Sequence, residues 1–450
     1  MKWRDFPAAA FVATVLLVGQ GLLASVWLVL GLTGTFTQPF IVGLLGLCLL
    51  IGAVVIRREF GDISRRLWAQ MVNHLSGLQA PVRFVAVLVL LVVAILGTFN
   101  AILPVRFGAG DGFFFYMVLP KMMAASGMLA LVRGYEYTHG ISGFLGEMHH
   151  AALLMIGNEQ AALVFVWVTA VSMLALLVAL CGYLGVGRVG KWVGVVMVLS
   201  STAVSFYLID GKVDLFAAGM GVAALYWALQ VERGEKLAPA VCLAGLFTGF
   251  AVVAKATYVV AVALPVVALL FWKARQSRFS VSLWLPFALF ALVTFVPHAV
   301  KNVLFFREPF APFFFLDPQL GAVYRSQGSW NASAVARQIQ LTYPLALAYG
   351  DYTFQYGNIS GLYIALGPFV LLVPVKVWRS NGSLVGFTTI VLVTLIVAAV
   401  LQASYFAPRF TLPALLALIP AISFAAEYVF HASATHAWFR GVMVACLCIA

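Results

Sequence analysis

Apolar runs of roughly 17 to 25 residues, separated by short polar turns, recur along most of this chain, and that repetition leaves few folds open. Hydrocarbon offers no water to an unpaired backbone N–H or C=O, so each run must satisfy its own polar groups by coiling into a helix. No alternating apolar–polar pattern competes for a barrel. With 63% hydrophobic residues, 9% charged residues and a mean hydropathy of +1.03, a soluble globule is excluded.

The fold class expected is therefore an all-α polytopic membrane protein with about 12 to 13 transmembrane helices. A net charge of +12 would suggest nucleic acid in a soluble chain. Here the basic residues lie mostly in short loops between apolar runs, so the charge is a topology signal and no nucleic acid is expected. Cys48, Cys181, Cys242, Cys446 and Cys448 all fall inside apolar runs without metal-ligand spacing and are read as packing residues.

Orientation follows from the loops. The first run, about 7–30, is too long for a removed signal peptide and lacks a small-residue cleavage site. After a second run ending at 56 comes a polar segment with Arg57, Arg58, Arg65, Arg66 and Arg83 against Glu59 and Asp62. The positive-inside rule makes this segment, and the N-terminus, cytoplasmic. A third run, about 84–103, then delivers Asp111 to the far side.

The run 113–132 is long enough to cross, yet Pro120, Lys121 and Gly127 interrupt it. Were it to cross, the loops carrying Arg188 and Lys191, Arg233 and Lys236, and Lys273, Arg275 and Arg278 would all be external. It is read instead as one or two helices lying in the outer interface. The chain then divides into 1–83, two N-terminal spans and a basic loop, and 84–450, a transmembrane core with external loops at about 105–158 and 300–357. Later spans are expected at about 161–183, 192–209, 213–230, 238–253, 257–272, 281–299, 359–375, 384–402 and 410–426. A last run, 439–450, is too short to cross, and the natural protein is expected to continue.

In a chain so poor in charge, ionisable residues at span ends mark function. Lys212, Lys255 and Arg409 fall in external turns where cations are scarce, and together they suit an anionic ligand, phosphate being the plainest. The competing reading is that each cation only neutralises a carboxylate, for example Lys212 with Asp210 or Asp214. Asp111 stands at a lipid–water boundary with few charged neighbours, where a carboxylate is basic enough to take a proton. Glu147 and His150, three apart, are a weak candidate pair for a metal; a divalent cation is the one cofactor under consideration.

Several stretches, in order, resemble the GT-C class of polytopic glycosyltransferases that use polyprenyl-phosphate sugars. They are Asp111 through Lys121 with Tyr116 and Pro120, Gly146-Glu147-Met148, Gly211-Lys212-Val213-Asp214, Ala244-Gly245-Leu246 through Lys255, Lys301-Asn302 through Pro312, and Pro408-Arg409-Phe410-Thr411-Leu412-Pro413. Gly112 follows Asp111 where many subfamilies have a second acidic residue, and Arg307-Glu308 stand in place of Gly-Asn.

The resemblance implies a bacterial inner-membrane enzyme, an inverting hexosyl- or pentosyltransferase. Its active site would be periplasmic, serving the cell envelope. Its partners would be a polyprenyl-phosphate-linked sugar donor, a lipid, glycan or protein acceptor, and the membrane lipids. Asp111 would be the base, with Lys212, Lys255 and Arg409 on the departing phosphate and Asp214 and Glu147 holding the acceptor or a cation. A transporter or flippase of an anionic lipid-linked sugar would also need cations at one face; such proteins usually show internal repeats and polar groups at mid-bilayer, and the sequence shows neither.

Overall fold

A computed structural model describes residues 6–57, 59–103, 117–134, 139–140, 142–231, 237–277, 284–311, 358–401 and 408–432. Asp111, most of the loop expected at 300–357 and the run 439–450 lie outside the described residues. Among those described, all regular structure is helical, and eight helices are long and apolar enough to cross a membrane. The chain is thus an all-α protein with the make-up of a multi-pass membrane protein.

The first four helices are α1 (Ala8–Thr33), α2 (Gln38–Ile56), α3 (Phe60–Ser76) and α4 (Ala80–Ile102). There follow a short α5 (Val118–Ser126), then α6 (Leu145–Ile156) and α7 (Glu159–Tyr183). Helices α8 (Arg188–Leu199) and α9 (Thr202–Asp210) form a pair bent by 55°. The core continues with α10 (Asp214–Leu229), α11 (Leu237–Ala254), a π-helical turn (Val259–Ala263) running into α12 (Leu264–Ser277), and α13 (Trp284–Phe306). The last part holds α14 (Leu362–Leu366), α15 (Phe369–Leu372), α16 (Val375–Ser380), α17 (Gly382–Leu401), a 3-10 turn (Pro408–Phe410), α18 (Leu412–Leu416) and α19 (Ile419–Ala432).

Among the described residues the long helices number eight, or nine if the bent pair counts as one span, against the 12 to 13 expected for the whole chain. The difference has local causes. The run 192–209 is broken where Ser200-Ser201-Thr202 interrupts it, and hydroxyls that bond back to the helix compete with its ladder: Ser200 Oγ donates to Val196 O and Ser201 Oγ to Met197 O. The run 359–375 splits at Gly367-Pro368 into α14 and α15, because proline has no N–H to give. The run 213–230 gives the sixteen-residue α10, and the run 257–272 divides into the π-helical turn and α12.

At the break between α8 and α9, a later stretch supplies the missing partners. Ala203 N donates to Asn358 O at 2.9 Å, Asn358 N to Thr202 Oγ1 at 2.6 Å and Ser360 N to Ser201 Oγ at 3.0 Å. Ser200 and Ser360 share a hydroxyl hydrogen bond of 2.7 Å.

Helix α10 lies at the centre, with all sixteen residues buried. Around it pack α7, α11 and α12. Helices α11 and α13 approach closely, and two glycines four apart allow it. A Cβ on Gly245 would lie 2.4 Å from Phe287 O, and one on Gly249 would lie 2.6 Å from Ala291 O. Backbone meets backbone there, and only glycine fits.

Contacts sort the helix ends into two groups. Asn73 Oδ1 of α3 accepts from Arg188 Nη2 at the start of α8, 3.0 Å apart. Glu427 of α19 accepts from Gly187 N at 2.6 Å and Val189 N at 3.1 Å, a carboxylate capping α8 from the far end of the chain. Lys273 Nζ donates to Tyr183 Oη at 3.0 Å. One end of the bundle therefore gathers α3, the start of α8 and the ends of α7, α12 and α19. Helix α4 leaves this end and α7 returns to it.

Candidate functional site

The opposite end begins where α9 closes. Gly211 takes the left-handed conformation at φ 70°, turning the chain so that Lys212 folds back over the end of α9. Its ammonium pairs with Asp210 at 3.0 Å, both side chains 1% exposed, and lies 5.0 Å from the Tyr207 ring and 5.3 Å from the Phe206 ring. Asp214 opens α10, where a carboxylate complements the positive end of the helix dipole. It pairs with Lys255, which stands just past the end of α11.

Lys255 sits 4.9 Å over the Phe410 ring, and the Arg409 guanidinium lies 5.0 Å from the same ring. The 3-10 turn that carries Arg409 is fastened by Tyr258 Oη, which donates to Arg409 O at 3.1 Å. Burial pulls the Lys255 ammonium down to about 8, opposed by the charge of Asp214 and helped by that of Arg409.

Helix α6 brings Glu147 to the same place. A Cβ on Gly146 would stand 2.5 Å from Val213 Cβ, so glycine lets the first turn of α6 press onto the turn before Asp214. Glu147 is buried, and Ser142 Oγ donates to its Oε1 at 3.4 Å. Burial pushes its carboxyl up to about 7, the charge of Asp214 adding to the rise while hydrogen bonds and Lys301 oppose it.

Of the residues singled out in the sequence, Glu147, Lys212, Asp214, Lys255 and Arg409 thus converge, although they come from four separate stretches. The three cations act together on Asp214, Lys212 also pairs with Asp210, and the raised carboxyl of Glu147 feels the charge of Asp214. The neutralising reading of the cations is realised for Lys212 with Asp210. For Lys255 the partner is Asp214, forty-one residues away. Asp111 lies outside the described residues. Among the described residues, no group of three His, Cys, Asp or Glu side chains stands close enough to hold a metal ion. His150 is buried edge-on to the Phe165 ring, 5.9 Å away, so the Glu147–His150 pair gains no third ligand there.

Lys301 is the residue whose role the sequence does not disclose. Fully buried on α13, it donates to His139 O and Ser142 O and lies 5.0 Å over the Phe144 ring. Its neighbour Asn302 donates to Gly140 O at 3.3 Å. Together they hold the strand of chain that enters α6, in which Phe144 adopts a left-handed φ of 56°. A lysine in an apolar run signals a buried partner, but nothing in its spacing shows that the partners are backbone carbonyls 160 residues earlier.

Compared with protein families, curated proteins and solved structures, the chain matches none.

Proposed function

We propose that the chain is a polytopic membrane glycosyltransferase of the GT-C kind, moving a sugar from a polyprenyl-phosphate donor to an acceptor at the end of the bundle opposite α3. One observation carries the reading. Three cations from three turns, Lys212, Lys255 and Arg409, meet at one end of an apolar bundle beside buried carboxylates, an arrangement suited to a phosphate that arrives from the bilayer.

The chemistry is one displacement. Asp111, assigned from the sequence, takes the proton of an acceptor hydroxyl as its oxygen bonds to the anomeric carbon. The bond from that carbon to the phosphate oxygen breaks, its electron pair stays on the polyprenyl phosphate, and the configuration inverts. Lys255 and Arg409, with Lys212, stabilise the charge that develops on the departing phosphate. Asp214 keeps Lys255 charged and oriented, and Glu147 faces the acceptor. No step is routed through a divalent cation, because the described residues do not assemble a ligand set.

A second reading, a flippase for an anionic lipid-linked sugar, draws support from the interrupted α8–α9 pair, since broken helices are the usual building blocks of transport sites. One experiment separates the two. Membranes containing the protein or its Asp111→Asn variant are given a labelled polyprenyl-phosphate sugar and an acceptor extract. Transfer that falls at least a hundredfold in the variant supports the enzyme; full transfer by the variant removes Asp111 as the base. Movement of the labelled lipid across the bilayer without transfer favours the flippase.

A further inference from the structure

Helix α3 is set apart from the spans around it by its polarity. It carries Asp62, Arg65, Arg66, Gln70, Asn73 and His74 within seventeen residues, yet Phe60, Trp68, Met71 and Val72 fall within about a third of its circumference. All four are exposed, Phe60 and Trp68 by 64% and 65%. A polar helix with an unshielded aromatic and aliphatic side is out of place in water and too polar to cross a bilayer.

Its other side is fixed at three points to the starts of three different helices. Arg66 Nη2 donates to Phe6 O at 2.9 Å, and Gln70 Oε1 accepts from Ala9 N at 3.4 Å, both at the head of α1. Asn73 meets Arg188 at the head of α8. Arg83, at the head of α4, donates to Leu75 O and Leu78 O at 3.1 and 2.9 Å, closing the end of α3. A helix that touches the beginnings of α1, α8 and α4 in turn runs across the end of the bundle.

The helices on either side of α3 also expose large apolar side chains. Helix α2, which leads into α3, exposes Leu49, Val54 and Val55, and α4, which leaves it, exposes Phe84, Val87 and Leu91. Two arginines are exposed close by in the chain: Arg57, just past the end of α2, and Arg65, seven residues before Val72 and so at the edge of the apolar side of α3.

We propose that α3 lies in the plane of the bilayer at this end, with Phe60, Trp68, Met71 and Val72 among the upper acyl chains and Arg57 and Arg65 on anionic lipid headgroups. It anchors the bundle and collects acidic lipid beside the heads of α1, α4 and α8. Each arginine held near an anionic surface strengthens the attachment by about fivefold. The inference is independent of the proposed enzymatic activity.

The test uses the full chain reconstituted in phosphatidylcholine vesicles containing phosphatidylglycerol. The fluorescence of Trp68 is read as the difference between the protein and its Trp68→Phe variant. Expected is quenching by bromine near the headgroup end of the acyl chains, little by bromine at the chain ends and little by aqueous iodide. Headgroup-end bromine carried on phosphatidylglycerol should quench more than the same bromine on phosphatidylcholine, and that preference should disappear in Arg57→Gln/Arg65→Gln. Quenching by iodide instead, or by neither agent because a protein partner covers the face, overturns the proposal. Equal quenching from both lipids overturns its anionic component.

Discussion

Removing Lys255 should cost this protein more than removing Lys255 and Asp214 together. The Asp214 carboxylate is 1% exposed and the Lys255 side chain 14%, so neither charge is well solvated without the other. Taking one partner from a buried pair costs about 3–5 kcal/mol, because the remaining charge stays desolvated. Arg409 and Lys212 also act favourably on Asp214, which brings the expectation for Lys255→Met to the lower limit, about 3 kcal/mol. The double variant Asp214→Asn/Lys255→Met leaves neither member of the pair stranded, and only the weaker attractions of Arg409 and Lys212 are lost with it. It should be about 2 kcal/mol more stable than Lys255→Met, and its loss should fall well short of the sum of the two single losses, the non-additivity of residues in direct contact.

Unfolding free energies in mixed micelles of SDS and a mild detergent would measure the cycle. Single losses that simply add, or a Lys255→Met variant as stable as the parent, would refute the buried-pair argument. Sugar transfer by the same four proteins tests a different link. A double variant that regains stability and also full transfer would exclude Lys255 from phosphate stabilisation.

Two other outcomes follow from the site and the packing. Glu147 is held near 7 against an ordinary 4.5, so the fold binds its proton more tightly than the unfolded chain does. Its contribution is present below pH 4.5 and is lost as pH rises through 7, on the order of 3 kcal/mol, and Glu147→Gln should flatten unfolding curves taken across that window. Gly245→Val drives a side chain against Phe287 O, which as backbone cannot swing aside; a loss of about 1–3 kcal/mol is expected in the same micelle assay, with Ala244→Gly as a nearby control.

Much of the fold is readable in the sequence because length and hydropathy alone decide whether a run can cross a bilayer. The runs at 7–30, 161–183 and 238–253 become α1, α7 and α11 within a few residues at each end. The run 192–209 does not stay straight, since three consecutive hydroxyl residues weaken its ladder at a point that hydropathy averages away. The cations and carboxylates at span ends are legible for the same reason that they are costly: in an apolar chain each charge needs a cause. Lys212 with Asp210 is one of the pairings the sequence offers, but the partner of Lys255 is not legible. Asp210 is two residues from Lys212, whereas Asp214 meets Lys255 only because α10 and α11 lie side by side. Lys301 is hidden further, as its partners are carbonyls that carry no signature in the sequence.

The broken pair α8–α9 has a consequence for how the protein is made. Its interrupted backbone is completed by Asn358 and Ser360, about 150 residues further along the chain. While the ribosome is still extending the segment between them, the break has no such partner, and lipid offers none. The newly inserted first half must therefore keep that break wet or shielded until residue 358 emerges, which makes the arrival of this three-residue stitch an ordering event in biogenesis and a natural dependency on whatever assists insertion.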